Sequence, residues 1–224
     1  MPARSRSSSP RLTLDVIVDT AATLVAEEGF EALSMRRLAQ ECGVGVMTLY
    51  GYVRTKDDVL EALANRLLST VELPVDDTLS WQEHVALVFC SVRSVLLTHP
   101  ELLPIVATQR LDGLAAYRSA ESLFRRLEGA GLVGAQVVHA FDALVSFTIG
   151  SVQREVALEP ANRGRYPTLG ALPHNEFPHV IKLAGHLVAA DLETSFRVGL
   201  DLLIDGITSR TENQARTRKG RTPS

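Results

Sequence analysis

The chain has 224 residues, 46% hydrophobic and 22% charged, which is ample material for one large globular domain or two smaller ones. A net charge of -3 excludes nucleic-acid binding by bulk electrostatics, so any such contact has to rest on local patches. No continuous apolar run reaches the roughly 18 residues of a membrane span and MPARSRSSSPRL has no apolar leader segment, so a cytoplasmic protein without membrane attachment is expected.

Residues 1–11, rich in Ser, Pro and Arg, read as a disordered tail whose Arg4, Arg6 and Arg11 could make loose phosphate contacts. From Leu12 helical period takes over. Leu14, Ile17, Val18, Ala21, Leu24 and Val25 form one apolar stripe, and Gly29 ends it. A second helix follows in LSMRRLAQEC, with Ser34 as N-cap, Leu38 inward, and Arg36 and Arg37 near its start. A third is confined between Gly43 with Gly45 and the segment RTKDD, where Thr55 and Asp58 are spaced to cap a long fourth helix. Cys42 and Cys90, the two cysteines, read as small buried side chains.

Two short helices joined by a glycine-containing turn have helix-turn-helix geometry, in which the second helix enters a major groove. Gly45, Val46, Met47 and Thr48 keep its start small or flexible, Leu49 faces inward, and Tyr50 and Tyr52 end in hydroxyls suited to phosphate oxygens. From Arg36 to Lys56 four basic residues stand against one acid, a local +3. The candidate DNA-binding set is Ser34, Met35 and Arg36, then Gly45, Val46, Met47, Thr48, Tyr50, Gly51 and Tyr52, then Lys56. A purely structural three-helix subdomain with its tyrosines in the core is the alternative.

Beyond a linker, LPVDDTLSW, a helix is expected from Trp81 to about Thr98, stopped by His99-Pro100, and another from about Leu111 to Glu128, ended by GAGL. Residues 134–157 are apolar on nearly every face, through Phe141, Leu144, Val145, Phe147, Ile149 and Val152, and must be covered on two sides. The final helix repeats this along Leu192, Phe196, Gly199, Leu200, Leu203 and Ile207. Two such helices point to a four-helix bundle shared by a homodimer, with Leu144 and Leu203 as tests, against the alternative of a monomer with a thick core. HNEFPH is expected on a long loop, and residues 209–224 as a disordered basic tail.

The fold class is therefore all-α, with a DNA-binding domain at 12–68 and a second helical domain at 69–208. No Gly-X-Ser-X-Gly, His-Glu-X-X-His or P-loop occurs, and His139 with Asp142 has no nucleophile beside it, so no enzyme, cofactor or metal centre is expected. A helical ligand-binding or enzymatic bundle without DNA binding is the second reading.

The stretch FEALSMRRLAQECGVGVMTLYGYVRTKDDVLEALANRLL resembles the DNA-binding domain of the TetR family of transcriptional repressors, a likeness that covers residues 12–68. It implies that Arg36, Val46, Met47 and Thr48 meet bases while Tyr50, Tyr52 and Lys56 hold phosphate. A weaker likeness to the tetracycline-repressor type of regulatory domain runs to about residue 208, through SWQEHV, SFTIGSVQREVA and FRVGLDLLIDGI. Together they imply a homodimeric repressor on a palindromic operator, released by a small-molecule inducer, with the fourth helix carrying the trigger. Departures shape the pocket. Val106 and Arg154 stand where that type binds magnesium, and Ser69 and Val88 where it holds the drug. The implied pocket is metal-free and lined by Val88, Val92, Val106, Gln109, Phe141 and Phe147, with Arg110 as an anion anchor for an apolar or anionic ligand.

Overall fold

A computed structural model describes residues 12–108, 113–158 and 168–219; at 108 and 213–219 only the backbone is described. The described residues are helical with no strand, and they divide into two compact units. Residues up to Thr70, with His99–Arg118, form the first; Val71–Thr98 and the chain from Ser119 onward form the second. From the sequence a boundary is expected at 68/69, and the first unit's N-terminal stretch runs to Thr70. The inclusion of 99–118 in the first unit was not foreseen, because unit membership depends on contacts distant in sequence.

In the first unit α1 (Leu14–Glu28) starts at Thr13, whose hydroxyl accepts the Val16 N–H at 3.2 Å. It buries Ile17, Val18, Ala21, Leu24 and Val25, while Leu14 at its first turn stays exposed. Gly29, at φ +86°, supplies the backbone turn that ends it. Helix α2 (Met35–Glu41) is capped by Ser34, whose Oγ accepts the Arg37 N–H, and the chain then reverses through Gly43 at φ +67° into α3 (Val46–Leu49). Leu38 and Leu49 are buried, which fixes the angle between the two short helices.

Helix α4 (Lys56–Ser69) begins in a capping box. Thr55 Oγ1 accepts the Asp58 N–H at 3.1 Å, and the Asp58 carboxylate accepts the N–H groups of Arg54 and Thr55 at 2.8 and 3.1 Å. Those bonds, the Arg54 N–H first, hold the Asp58 carboxyl below its ordinary value. Val59, Leu60, Leu63, Ala64 and Leu67 then bury one face of α4, which packs on α1. Thr55→Ala should cost about 1 kcal/mol of stability, the usual loss of a hydroxyl N-cap. Chemical denaturation checks it; an unchanged midpoint would show the cap to be redundant.

The unit is completed by the turn Pro100–Leu102 and by α6, with α5 (Trp81–Thr98) belonging to the second unit. Helix α6 (Leu103–Thr108) buries Leu103, Ile105 and Val106 and packs on α4. Gly113 lies so close to the Asn65 amide of α4 that a β-carbon there would overlap it.

In the second unit Ser80 and Glu83 cap α5 reciprocally. It packs with α8 (Ala135–Leu158) and α11 (Leu192–Lys219) around Val85, Val88, Phe89, Leu144, Phe196, Leu200 and Ile204. From Ser119 onward helix α7 (Leu114–Gly129) belongs to this unit and adds Leu123 and Leu127, and Gly131 at φ +102° follows its end. Gly199 lets the Phe147 ring lie against α11, since any β-carbon there would collide with it. The short helices α9 (Pro178–Lys182) and α10 (Ala184–Ala189) bury no residue in their own chain.

Several expectations need correction. Helix α11 does not stop near residue 208 but continues to Lys219, because TENQARTRK contains good helix formers and no glycine or proline until Gly220. HNEFPH is only partly loop, since Pro178 occupies the first position of α9, where its fixed φ is favourable and its missing N–H costs nothing. Helix α8 is long and apolar enough by length and composition to cross a membrane, which counting uninterrupted apolar runs missed. Both cysteines are free and half-buried rather than fully buried. The tails at 1–11 and 220–224 lie outside the described residues.

Candidate nucleic-acid interface

The residues assembled by α2, α3 and the start of α4 sort by exposure. Ser34 uses its Oγ to cap α2, and Met35 is half-buried beside it. Arg36 is exposed and makes no ion pair among the described residues, whereas Arg37 is braced between Glu28 of α1 at 2.5 Å and Glu41 of α2. The Arg37 hydrogen bond holds the Glu28 carboxyl below its ordinary value. Two adjacent arginines thus have different work: Arg37 is a strut whose charge is already neutralised, and the local +3 overstated the field open to a partner.

On α3, Leu49 is buried and points the other residues outward. Val46 is half-buried, Thr48 is exposed, and Met47 is 83% exposed, an unfavourable place for a thioether in a free surface. Tyr50 and Tyr52 are also exposed, so the alternative that packed them in the core does not hold. Gly45 stands as N-cap of α3 with extended backbone. Gly51 follows so closely that a β-carbon would sit 3.2 Å from the Thr48 carbonyl oxygen. Lys56 places its Nζ 4.8 Å from the centroid of the Phe30 ring, a cation–π contact that limits where the ammonium can go. The arrangement offers one flexible cation, one braced cation, two phenols and a protruding apolar tip on a single short stretch of chain.

Of the expected pocket residues, Val88, Val92, Phe141 and Phe147 share the second unit's apolar core cluster. Val88 is fully buried in the second unit's core, Val92 is half-buried, and Val106 belongs to the first unit. Phe141 meets Phe124 edge to face at 5.2 Å, and Phe147 stacks on Phe196 at 5.6 Å. Gln109 and Arg110 lie outside the described residues. Arg154 is exposed on α8, and its neighbour Glu155 turns inward instead. There it accepts two hydrogen bonds from Arg93 of α5, at 2.9 and 2.8 Å, in a pair whose side chains are only 12% and 21% exposed. Arg93 also lies over the Phe196 ring at 5.2 Å. Sequence reasoning missed this pair because nothing local distinguishes Arg93 from a solvated arginine; its partner is far along the chain.

Residues 17–63 match the model for bacterial regulatory proteins of the tetR family, and residues 73–211 match the tetracyclin repressor-like C-terminal domain. The chain belongs to the TetR family. Its two matched regions together account for the DNA-binding head and for most of the second unit of a TetR-family regulator. A transcriptional regulator of Saccharopolyspora erythraea is 35% identical over 154 residues, a match spanning 69% of this chain and 65% of that relative. The repressor DrrR1 of Streptomyces coeruleorubidus is 27% identical across 91% of this chain and 80% of its own. The class E tetracycline repressor of Escherichia coli is 28% identical, with 92% and 96% covered. Among solved structures, apo ActR of Streptomyces coelicolor superposes with a TM-score of 0.83 at 29% identity, covering 91% of this chain and 98% of ActR. ActR in complex with actinorhodin gives 0.82 at 30% identity, with 90% and 99% covered.

Proposed function

We propose that this chain is a cytoplasmic, homodimeric repressor that binds a palindromic operator and is released by a small apolar or anionic molecule without a divalent cation. The observation that carries the reading is the exposed set Arg36, Met47, Thr48, Tyr50 and Tyr52, presented by a helix-turn-helix whose inward residues are buried. Arg36, Val46, Met47 and Thr48 read base edges; Tyr50, Tyr52 and Lys56 hold phosphate, with Ser34, Met35, Gly45 and Gly51 shaping the approach.

Dimerisation is supported by what α8 and α11 leave uncovered. Only 28% of the most apolar window of α8 is buried inside the chain, and Val138, Val198 and Leu202 stand exposed on these two helices. A face of this kind is covered by an identical face in a two-fold bundle. The relatives are named regulators and repressors, and this chain acts in the same way, by binding rather than by catalysis.

Ligand release is supported by relatives, since ActR has been solved with actinorhodin. Val88, Val92, Phe141 and Phe147 of this chain supply carbon and aromatic surface, and Val106 offers no donor to a hard cation. The domain assignment carried with this reading is a DNA-binding head at 12–68 and a ligand-binding and dimerisation region at 69–208. A gel-shift titration on the DNA upstream of its own gene tests it. A shift that weakens steeply with salt and an inducer response unaltered by EDTA are expected; magnesium-dependent release by tetracycline would contradict the metal-free pocket.

A further inference from the structure

Within the second unit, the segment before α5 and the last turns of α7 border a half-open cavity of about 580 Å³, a size suited to a small molecule. None of the described residues proposed for the inducer lines it. Its walls include Val75, Trp81 and His84 on one side and Ser122, Arg125 and Arg126 on the other. Arg126 is engaged with the loop. It donates to the carbonyl oxygens of Asp76 and Leu79, each at 3.4 Å, and to the Asp77 carboxylate at 3.1 Å, so it fastens the loop to α7 and neutralises the acid at the rim. Arg125 is not: its one ion pair among the described residues, with Glu121, is 3.4 Å long between side chains 75% and 70% exposed, an arrangement that holds little.

The floor is polar and unusual. His84 is 1% exposed, and its Nε2 lies 2.9 Å from Ser122 Oγ, while its Nδ1 is buried without a partner. Burial, and then the Arg126 charge, hold the imidazole below its ordinary pKa, so it is neutral at neutral pH. A neutral imidazole paired to a hydroxyl can give or take a hydrogen bond as the rotor and tautomer change. Trp81 rests partly on the hydrophobic core, and is also part of the cavity wall. The cavity thus combines one under-used cation, a flat aromatic wall and a polar pair beside an orphaned nitrogen. A cationic ligand would meet the Arg125 guanidinium, and a purely apolar one would offer no hydrogen bond to the Ser122 hydroxyl or to the unpartnered His84 Nδ1.

We propose that this cavity is a binding site for a small hydroxylated aromatic acid, whose ring lies on the Trp81 indole, whose carboxylate pairs with Arg125, and whose hydroxyl joins the Ser122–His84 pair. The site is separate from the inducer reading and stands or falls without it.

Trp81 is the chain's one tryptophan, so a single indole N–H resonance reports on the cavity wall. Titrating the full-length, ¹⁵N-labelled protein with 4-hydroxybenzoate should move that resonance saturably. Arg125→Glu, at a surface position that leaves the core intact, should weaken binding about tenfold or more, as loss of a charge-assisted hydrogen bond does. Ser122→Val should remove the preference for 4-hydroxybenzoate over benzoate. A shift that never saturates, or an affinity that Arg125→Glu leaves unchanged, overturns the site; a preference that survives Ser122→Val overturns the hydroxyl contact.

Discussion

Arg36→Ala should weaken operator binding by about 1 to 3 kcal/mol and relax preference at one base position in each half-site, while leaving affinity for random DNA nearly unchanged. The magnitude follows from a guanidinium that is exposed and makes no ion pair among the described residues, so little has to be broken before it donates to a guanine edge. Lys56→Ala should behave differently, lowering affinity for all sequences alike and reducing the salt slope by about one. Arg37→Ala forms a third case: it removes the brace between Glu28 and Glu41, and should act through the stability of α2 rather than through base preference. Quantitative gel shifts on specific and scrambled duplexes separate the three. Equal losses on both duplexes for Arg36→Ala would remove it from base reading.

The second large effect concerns α8 and α11. Leu202 is 67% exposed, so Leu202→Glu costs the isolated chain little and should split the dimer, with operator affinity falling in parallel because each half-site then binds alone. Periodicity predicts that a charge at Leu144 or Leu203 either splits the dimer or prevents folding, and burial favours the second outcome at Leu144. Leu144 is 0% exposed in the core of its own chain and Leu203 is half-buried against that core, so a charge at Leu144 should unfold the unit by several kcal/mol rather than dissociate it. Light scattering with circular dichroism distinguishes the outcomes. A Leu202→Glu protein that stays dimeric would show that another surface joins the subunits.

Much of the fold was legible because the devices that build it are local. Ser34 with Arg37, Thr55 with Asp58, and Gly43 between two short apolar helices announce themselves within a few residues, and α5 begins and ends where Trp81 and His99-Pro100 place it. The outward face of α3 was legible for the same reason: with Leu49 inward, helical spacing leaves Met47, Thr48 and Tyr50 facing out. Legibility failed where the deciding contact is distant. The different fates of Arg36 and Arg37 depend on Glu28 in another helix, the inward turn of Glu155 depends on Arg93, and Leu202 and Leu203 differ in which side of the two-faced α11 meets its own chain. The continuation of α11 has another cause, since the basic composition that suggests a solvated tail consists of residues that also favour a helix.

The central claim is that a dimer of this chain reads a two-fold symmetric DNA site with α3. Footprinting of the purified protein on fragmented genomic DNA tests it directly. Two protected half-sites related by a two-fold axis, with centres about one helical turn or a multiple of it apart, are predicted, and Arg36→Ala should abolish the protection at salt concentrations where the wild type retains it. Uniform, sequence-independent protection by a folded dimer would contradict the account.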